Sequence, residues 1–192
     1  MLFVLLLLIF VIQGSLQEEL QRVQPSHFLY FGYGSNLLKE RIHRSTNTTR
    51  EGIGKLKNYR LDFDLYSKRW SGYVATIVND NDSDGVWGAL WKVNIDDLEK
   101  LDAQEGSNYT RIKINVERPD GQIVDCYTYK LVNNPAIYYP LDQLPENRQP
   151  SKAYLDVILK GAIESMLPDQ YIEKLKKIKH NNYDGAVYYE QT

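Results

Sequence analysis

Cysteine is almost absent: the chain has a single one, Cys126, among 192 residues. An intrachain disulfide is therefore excluded, and the core must hold the fold by itself. Cys126 lies inside the strand-like run QIVDCYTYKL, where a buried structural thiol is expected rather than a nucleophile. Histidine is also scarce. His27, His43 and His180 lie far apart, without the spacing of a metal site. Walker, G-x-G-x-x-G and G-x-S-x-G motifs are missing too, so neither a metal nor a cofactor is expected. Nor is there an excess of one charge. With 23 basic against 25 acidic residues and a net charge of −2, no basic stripe is available to neutralise phosphates. Nucleic acid is not an expected partner. Repeats and low-complexity tracts are lacking, and the length suits one domain.

Long apolar runs are missing apart from one. Residues 2–12, LFVLLLLIFVI, are eleven apolar residues, short of the roughly 20 that span a bilayer. With Gly14 and Ser15 close behind, the segment reads as a secretory signal peptide over 1–15, leaving a mature domain over 16–192. The leader departs from the usual pattern in having no Lys or Arg before its apolar run, and an uncleaved membrane anchor is the alternative. The expectation is an extracellular protein with no membrane association once the leader is cut. Three sequons, at Asn47, Asn81 and Asn108, then become candidate glycan sites.

Tyrosine, by contrast, is plentiful. Most of the fifteen fall in strand-like segments, where half-buried sheet surface is their ordinary role. FLYFGY (28–33) is an apolar run of strand length. LLKERIHR (37–44) predicts a short helix and STNTTREGIG (45–54) a loop. KLKNYRLDFDLYS (55–67), YVATIV (73–78) and VWGALWKV (86–93) predict strands. Asn94 caps a helix over 95–105, which Gly106 ends. YTRIKINVER and QIVDCYTYKL flank Pro119-Asp120-Gly121 as a β-hairpin, and a proline-rich loop follows over 133–150. Ser151 and Pro168 open two further helices. About six strands and four helices, the helices late, predict an α+β domain around one mostly antiparallel sheet or partly closed barrel.

Two features remain for chemistry. The first is the turn YGSN (33–36), where small residues between a strand and a helix bare backbone N–H groups to an anion. The second is a carboxylate on the helix 95–105. At about 100° per residue, with Leu98 at zero, Ile95 and Leu101 fall at roughly +60° and −60° and define the core-facing arc. Glu105 falls near −20° on the same scale, and Asp102 near 40°. Burial and the negative end of the helix dipole both push a carboxyl at Glu105 upward, toward the range of a general base at neutral pH. Asp102 is its rival on this reasoning. A turn that wants an anion beside a glutamate that wants a proton suits a small zwitterion such as an amino acid.

Four blocks, YFGYGSNLLKERIH, VWGALWKV, LDAQEG and PDQYIEKLKKI, resemble the γ-glutamylcyclotransferase family in order and spacing. The resemblance runs from about residue 28 to 185. It implies a single compact α+β domain with a mixed, mostly antiparallel, barrel-like sheet flanked by helices. It also implies an enzyme that releases 5-oxoproline from γ-glutamyl amino acids or small peptides, freeing the amino acid or amine. By the same resemblance Glu105 is the catalytic acid and base. Substrate would be bound by Tyr30, Phe31, Gly32, Tyr33, Gly34, Ser35 and Asn36, and more loosely by Tyr109 and Tyr129. The implied partner is a small γ-glutamyl compound, with a homodimer as an option. Two departures stand out: GSNYT, after Glu105, is shorter than in cytosolic relatives, and those relatives carry no leader. Three readings therefore stay open beside the main one: a secreted binder without turnover, and cyclotransferases specific for glutathione or for γ-glutamyl-lysine.

Overall fold

The computed structural model describes residues 26–186. The leader expected over 1–15 lies outside the described residues. Seven strands and four α-helices follow in the order β1 (His27–Gly32), α1 (Lys39–Ile42), β2 (Thr49–Leu56), β3 (Tyr59–Ser67), β4 (Gly72–Asn79) and β5 (Val86–Asn94). Then come α2 (Leu98–Glu105), β6 (Tyr109–Glu117), β7 (Ile123–Leu131), α3 (Lys152–Glu164) and α4 (Asp169–Lys176).

Five strands close a barrel in the order β1-β5-β2-β6-β7, and β3 and β4 pair as a separate two-stranded sheet. All barrel pairs are antiparallel except β1 with β7, which meet in parallel at Tyr30 and Tyr127. Closure removes the edges that would otherwise need covering. β1 and β5 are the apolar runs, and Phe31, Leu90, Trp91 and Val93 are fully buried between them. The expected α+β class, with its barrel-like sheet, is the one observed.

Three local expectations change. TREGIGKL is a strand, not a loop: β2 pairs with β5 along its length, from Thr49 opposite Lys92 to Leu56 opposite Val86. Its glycines hid it. A Cβ on Gly54 would stand 2.3 Å from Val116 Cγ1, so only glycine lets β2 approach β6. The expected strand over 55–67 is broken at Asn58, whose φ of 61° turns the chain out of the barrel into β3. The helix expected over 37–44 is a 3₁₀ turn, Ser35–Leu37, then extended Leu38, then the four residues of α1. α3 imposes that break. A Cβ on Gly161 would lie 2.4 Å from the Leu38 nitrogen, and Ser165 Oγ donates to the Leu37 carbonyl at 3.2 Å. The carbonyl that would carry the helix onward is thus taken by α3.

Candidate active site

β1 runs out of the barrel into the YGSN turn, and α2 ends beside that turn. The turn is pinned from three sides. Trp91 Nε1 donates to the Asn36 carbonyl at 3.0 Å from inside the barrel. The missing side chain of Gly32 makes room for that carbonyl, because a Cβ there would lie 2.9 Å from it. α3 packs on the far side through Gly161. Among the described residues, the N–H groups of Ser35 and Asn36 donate to no protein acceptor and remain available to a ligand.

Glu105, the last residue of α2, reaches back to this turn. Its carboxyl accepts from Asn36 Nδ2 at 2.7 Å and from the Tyr30 hydroxyl at 3.4 Å. Asn36 is buried and wholly committed: its Nδ2 also meets the Tyr30 hydroxyl at 3.0 Å, and its Oδ1 accepts from Gln104 Nε2 at 2.9 Å. Gln104 is held in turn by Ser45 Oγ. The chain Ser45–Gln104–Asn36–Glu105 fixes which end of the Asn36 amide faces the glutamate.

Burial lifts the Glu105 carboxyl from 4.5 to about 7, with the negative charge of Asp102 adding a little. Arg41 and the two hydrogen bonds pull the other way and keep it from rising further. It titrates where a general base for neutral pH should. Asp102 is differently employed. It pairs with Arg111 at 2.7 Å and accepts from the Tyr129 hydroxyl at 2.5 Å. A carboxylate already bound to a guanidinium and a phenol has little left for substrate. The geometry favours Glu105 over its rival.

A small pocket of about 40 Å³ lies over Glu105 and the turn. Tyr30, Tyr33, Gly34, Ser35, Asn36, Tyr109 and Tyr129 line it. Phe31 and Gly32 do not line it: Phe31 points into the core at 0% exposure, and Gly32 serves the close approach of Asn36. Asn36 acts through its side chain on Glu105, which is a positioning role. Four tyrosines besides Tyr30 crowd the carboxyl, and burial pushes the hydroxyls of Tyr33, Tyr109, Tyr129 and Tyr154 upward. All remain proton donors at neutral pH.

Three participants were not legible in the sequence. Tyr154, three residues past the Ser151 cap, looks there like any core tyrosine of α3; its hydroxyl lines the pocket and accepts from the Ala75 N–H at 3.3 Å. Ala75 closes the same wall, and its carbonyl holds the Tyr109 hydroxyl at 2.7 Å. Arg41, 8% exposed, acts electrostatically on both Glu105 and Tyr154. Gln104 sat inside the quoted LDAQEG block and was the one legible omission. Of the expected glycan sites, Asn47, Asn81 and Asn108 are all exposed. Cys126 is buried in β7, where its thiol is pushed up to about 12 by burial and by Asp125.

The fold and this pocket have relatives. Residues 85–175 match the AIG2-like family. A bovine γ-glutamylcyclotransferase is 37% identical over 178 residues, 88% of each chain. The mouse protein of the same name is 39% identical over 168 residues, 83% of each. A solved structure titled γ-glutamyl cyclotransferase superposes with a TM-score of 0.75 at 37% identity, covering 84% of this chain and 94% of its own. Identity of this degree over nearly the whole of both partners shows that the chain belongs to the γ-glutamylcyclotransferase family.

Proposed function

We propose that the protein converts γ-glutamyl amino acids to 5-oxoproline and the free amino acid, with Glu105 carrying the proton. The observation that carries this reading is the Glu105 carboxyl, lifted to about 7 and held 2.7 Å from Asn36 beside the bare N–H groups of the turn. The substrate α-carboxylate sits on the Ser35 and Asn36 N–H groups, which bends the γ-glutamyl chain back on itself. Glu105 takes a proton from the α-amino group. That nitrogen attacks the γ-carbonyl carbon, the bond to the departing nitrogen breaks, and Glu105 returns the proton to it. The Tyr154 hydroxyl, accepting from Ala75, is placed to donate to the carbonyl oxygen as charge gathers there. Both reacting groups belong to one molecule, so orientation supplies much of the rate, up to ~7–11 kcal/mol in ideal cases. No enzyme-bound intermediate is needed, in keeping with a cysteine that is buried and protonated.

The test is incubation of the purified protein with γ-glutamyl dipeptides, glutathione and ε-(γ-glutamyl)lysine, following 5-oxoproline. Release from the dipeptides is expected; binding without release from any of them would favour a non-catalytic binder.

Secretion is part of the same proposal. It is supported by the apolar run 2–12 and by three exposed sequons. A eukaryotic secretory host should deliver the protein to the medium with its N-terminus near Ser15 or Leu16, with Asn47 and Asn81 glycosylated more fully than Asn108. A cell-retained product still beginning at Met1 would contradict secretion.

A further inference from the structure

The pocket over Glu105 opens into a second, larger space. A cleft of about 240 Å³ shares Ser35, Glu105, Tyr109 and Tyr154 with the inner pocket, so the two meet at the catalytic carboxyl. Cyclisation divides its substrate there as well: the glutamyl half lies inward and the departing half must lie outward.

The outer lining has a definite chemistry. Arg41 and Arg69 line it, and among the described residues Glu105 is the only carboxylate in its lining. The opposite wall is apolar and aromatic, built by Leu65, Tyr66, Trp70 and Val74 of the β3–β4 hairpin. That wall is a constructed feature. The β3–β4 register shifts between Asp64 and Tyr66, and Leu65 at the bulge has a φ of 59°, which a leucine rarely adopts. Behind it Trp70 rests on Tyr154 with ring centroids 4.7 Å apart, and Tyr66 meets Tyr73 edge-on at 5.5 Å. Tyr66 keeps 54% of its surface open. The strained Leu65 backbone and the open Tyr66 ring thus stand side by side on the cleft.

We infer that this cleft is the subsite for the departing half of the substrate. It selects an α-amino acid with a free carboxylate, held by Arg41 and Arg69, and a large apolar or aromatic side chain, laid against Leu65, Tyr66 and Trp70. The inference rests on the cyclotransferase reading above. It disfavours departing groups that lack a free α-carboxylate, such as amines, or that bring a second cation, such as ε-linked lysine.

The test compares kcat/KM for γ-Glu-Phe, γ-Glu-Gly, γ-Glu-Phe-amide and ε-(γ-glutamyl)lysine, followed through 5-oxoproline. γ-Glu-Phe should exceed its amide by about tenfold or more, the scale of a charge-assisted contact. It should exceed γ-Glu-Gly by roughly tenfold, through burial of the ring. In Arg69→Gln the acid's advantage over the amide should shrink, chiefly through KM. In Tyr66→Ser the advantage of Phe over Gly should shrink while the acid–amide gap persists. Both side chains are at the surface of the hairpin, and the comparison of substrates on the unaltered protein needs no variant. Equal rates for acid and amide, or for Phe and Gly, would overturn the inference with the cyclotransferase reading intact. No 5-oxoproline from any substrate would overturn both.

Discussion

The barrel closes on itself, whereas β3–β4 is a pair of strands standing beside it. In the barrel, the groups that meet Glu105 are tied down. Asn36 makes three side-chain hydrogen bonds, Tyr33 donates to the Tyr129 carbonyl at 2.6 Å, and Tyr129 is held by Asp102. The hairpin is anchored along its length by the buried Arg148, which pairs with Asp62, and close to its turn, where the Tyr73 N–H donates to the Gln149 carbonyl at 3.0 Å. Its outer part carries positive φ angles at Leu65 and Ser71 and leaves Tyr66 open. Proton transfer tolerates little displacement, and Glu105 at the end of α2 and Asn36 in the turn are bonded to the barrel residues Tyr30 and Trp91. Choosing among departing groups needs a surface that can vary, and that falls to the hairpin.

The largest expected effect breaks the barrel side of this contrast. Glu105→Gln keeps the shape and the Asn36 contact but cannot accept a proton. Turnover should fall by the ~10²–10⁴-fold typical of losing a general base, with substrate binding retained. Single-turnover kinetics beside equilibrium binding would check both halves.

The same substitution should raise stability. Folded, Glu105 holds its proton up to about 7; unfolded, it releases it near 4.5. Between those values the folded state binds more protons, so this carboxyl makes stability fall as pH rises through the window. Glu105→Gln should abolish that slope and gain at most about 3 kcal/mol above pH 8, read from denaturant melts at pH 5 and pH 8. Equal gains at both pH values would mean that the carboxyl is not held protonated by burial.

Asn36→Ala comes next. Its hydrogen bond holds the Glu105 carboxyl down, so its loss should lift that carboxyl further. Activity at pH 7 should drop about tenfold, the scale of one hydrogen bond to a charged group, and recover in part by pH 8.5. A loss independent of pH would give Asn36 a direct contact with substrate instead of a positioning role.

The smallest effect belongs to Asp102→Asn. Its partner Arg111 is partly exposed, and pairs of this kind contribute roughly 0–1 kcal/mol. A change in kcat of less than about tenfold is expected, since Asp102 acts through Tyr129. A loss as large as that of Glu105→Gln would move the base to Asp102.

How far the sequence carried this picture differs between the same two regions. Strands β1, β4, β5, β6 and β7 could be read from apolar runs and turn residues because their signals are local. Strand β2 could not, because TREGIGKL owes its conformation to Gly54 lying against Val116, a contact with no trace in sequence periodicity. The wheel put Glu105 and Leu101 on the inner arc, and Leu101 is fully buried. It failed at Ile95, which is 42% exposed, because residues 95–97 form a 3₁₀ turn whose spacing is not 100° per residue. The YGSN turn and Glu105 were legible as separate features. Their link through Asn36 was not, since nothing local shows that an asparagine in a turn will reach a side chain 69 positions away. The outer cleft was wholly hidden, because Leu65 read as one more residue of an alternating strand.

The most direct measurement of the central claim is the pH dependence of kcat/KM between pH 5.5 and 8.5 for a γ-glutamyl dipeptide. Burial lifts the Glu105 carboxyl to about 7 against the pull of Arg41, Tyr30 and Asn36, and the tyrosines and Arg41 do not change charge in this range. The profile should therefore climb with unit slope at the acid end and bend near pH 7, and Glu105→Gln should lose the bend. A profile that is flat across this range, or a bend near 7 that survives in Glu105→Gln, would contradict Glu105 as the base.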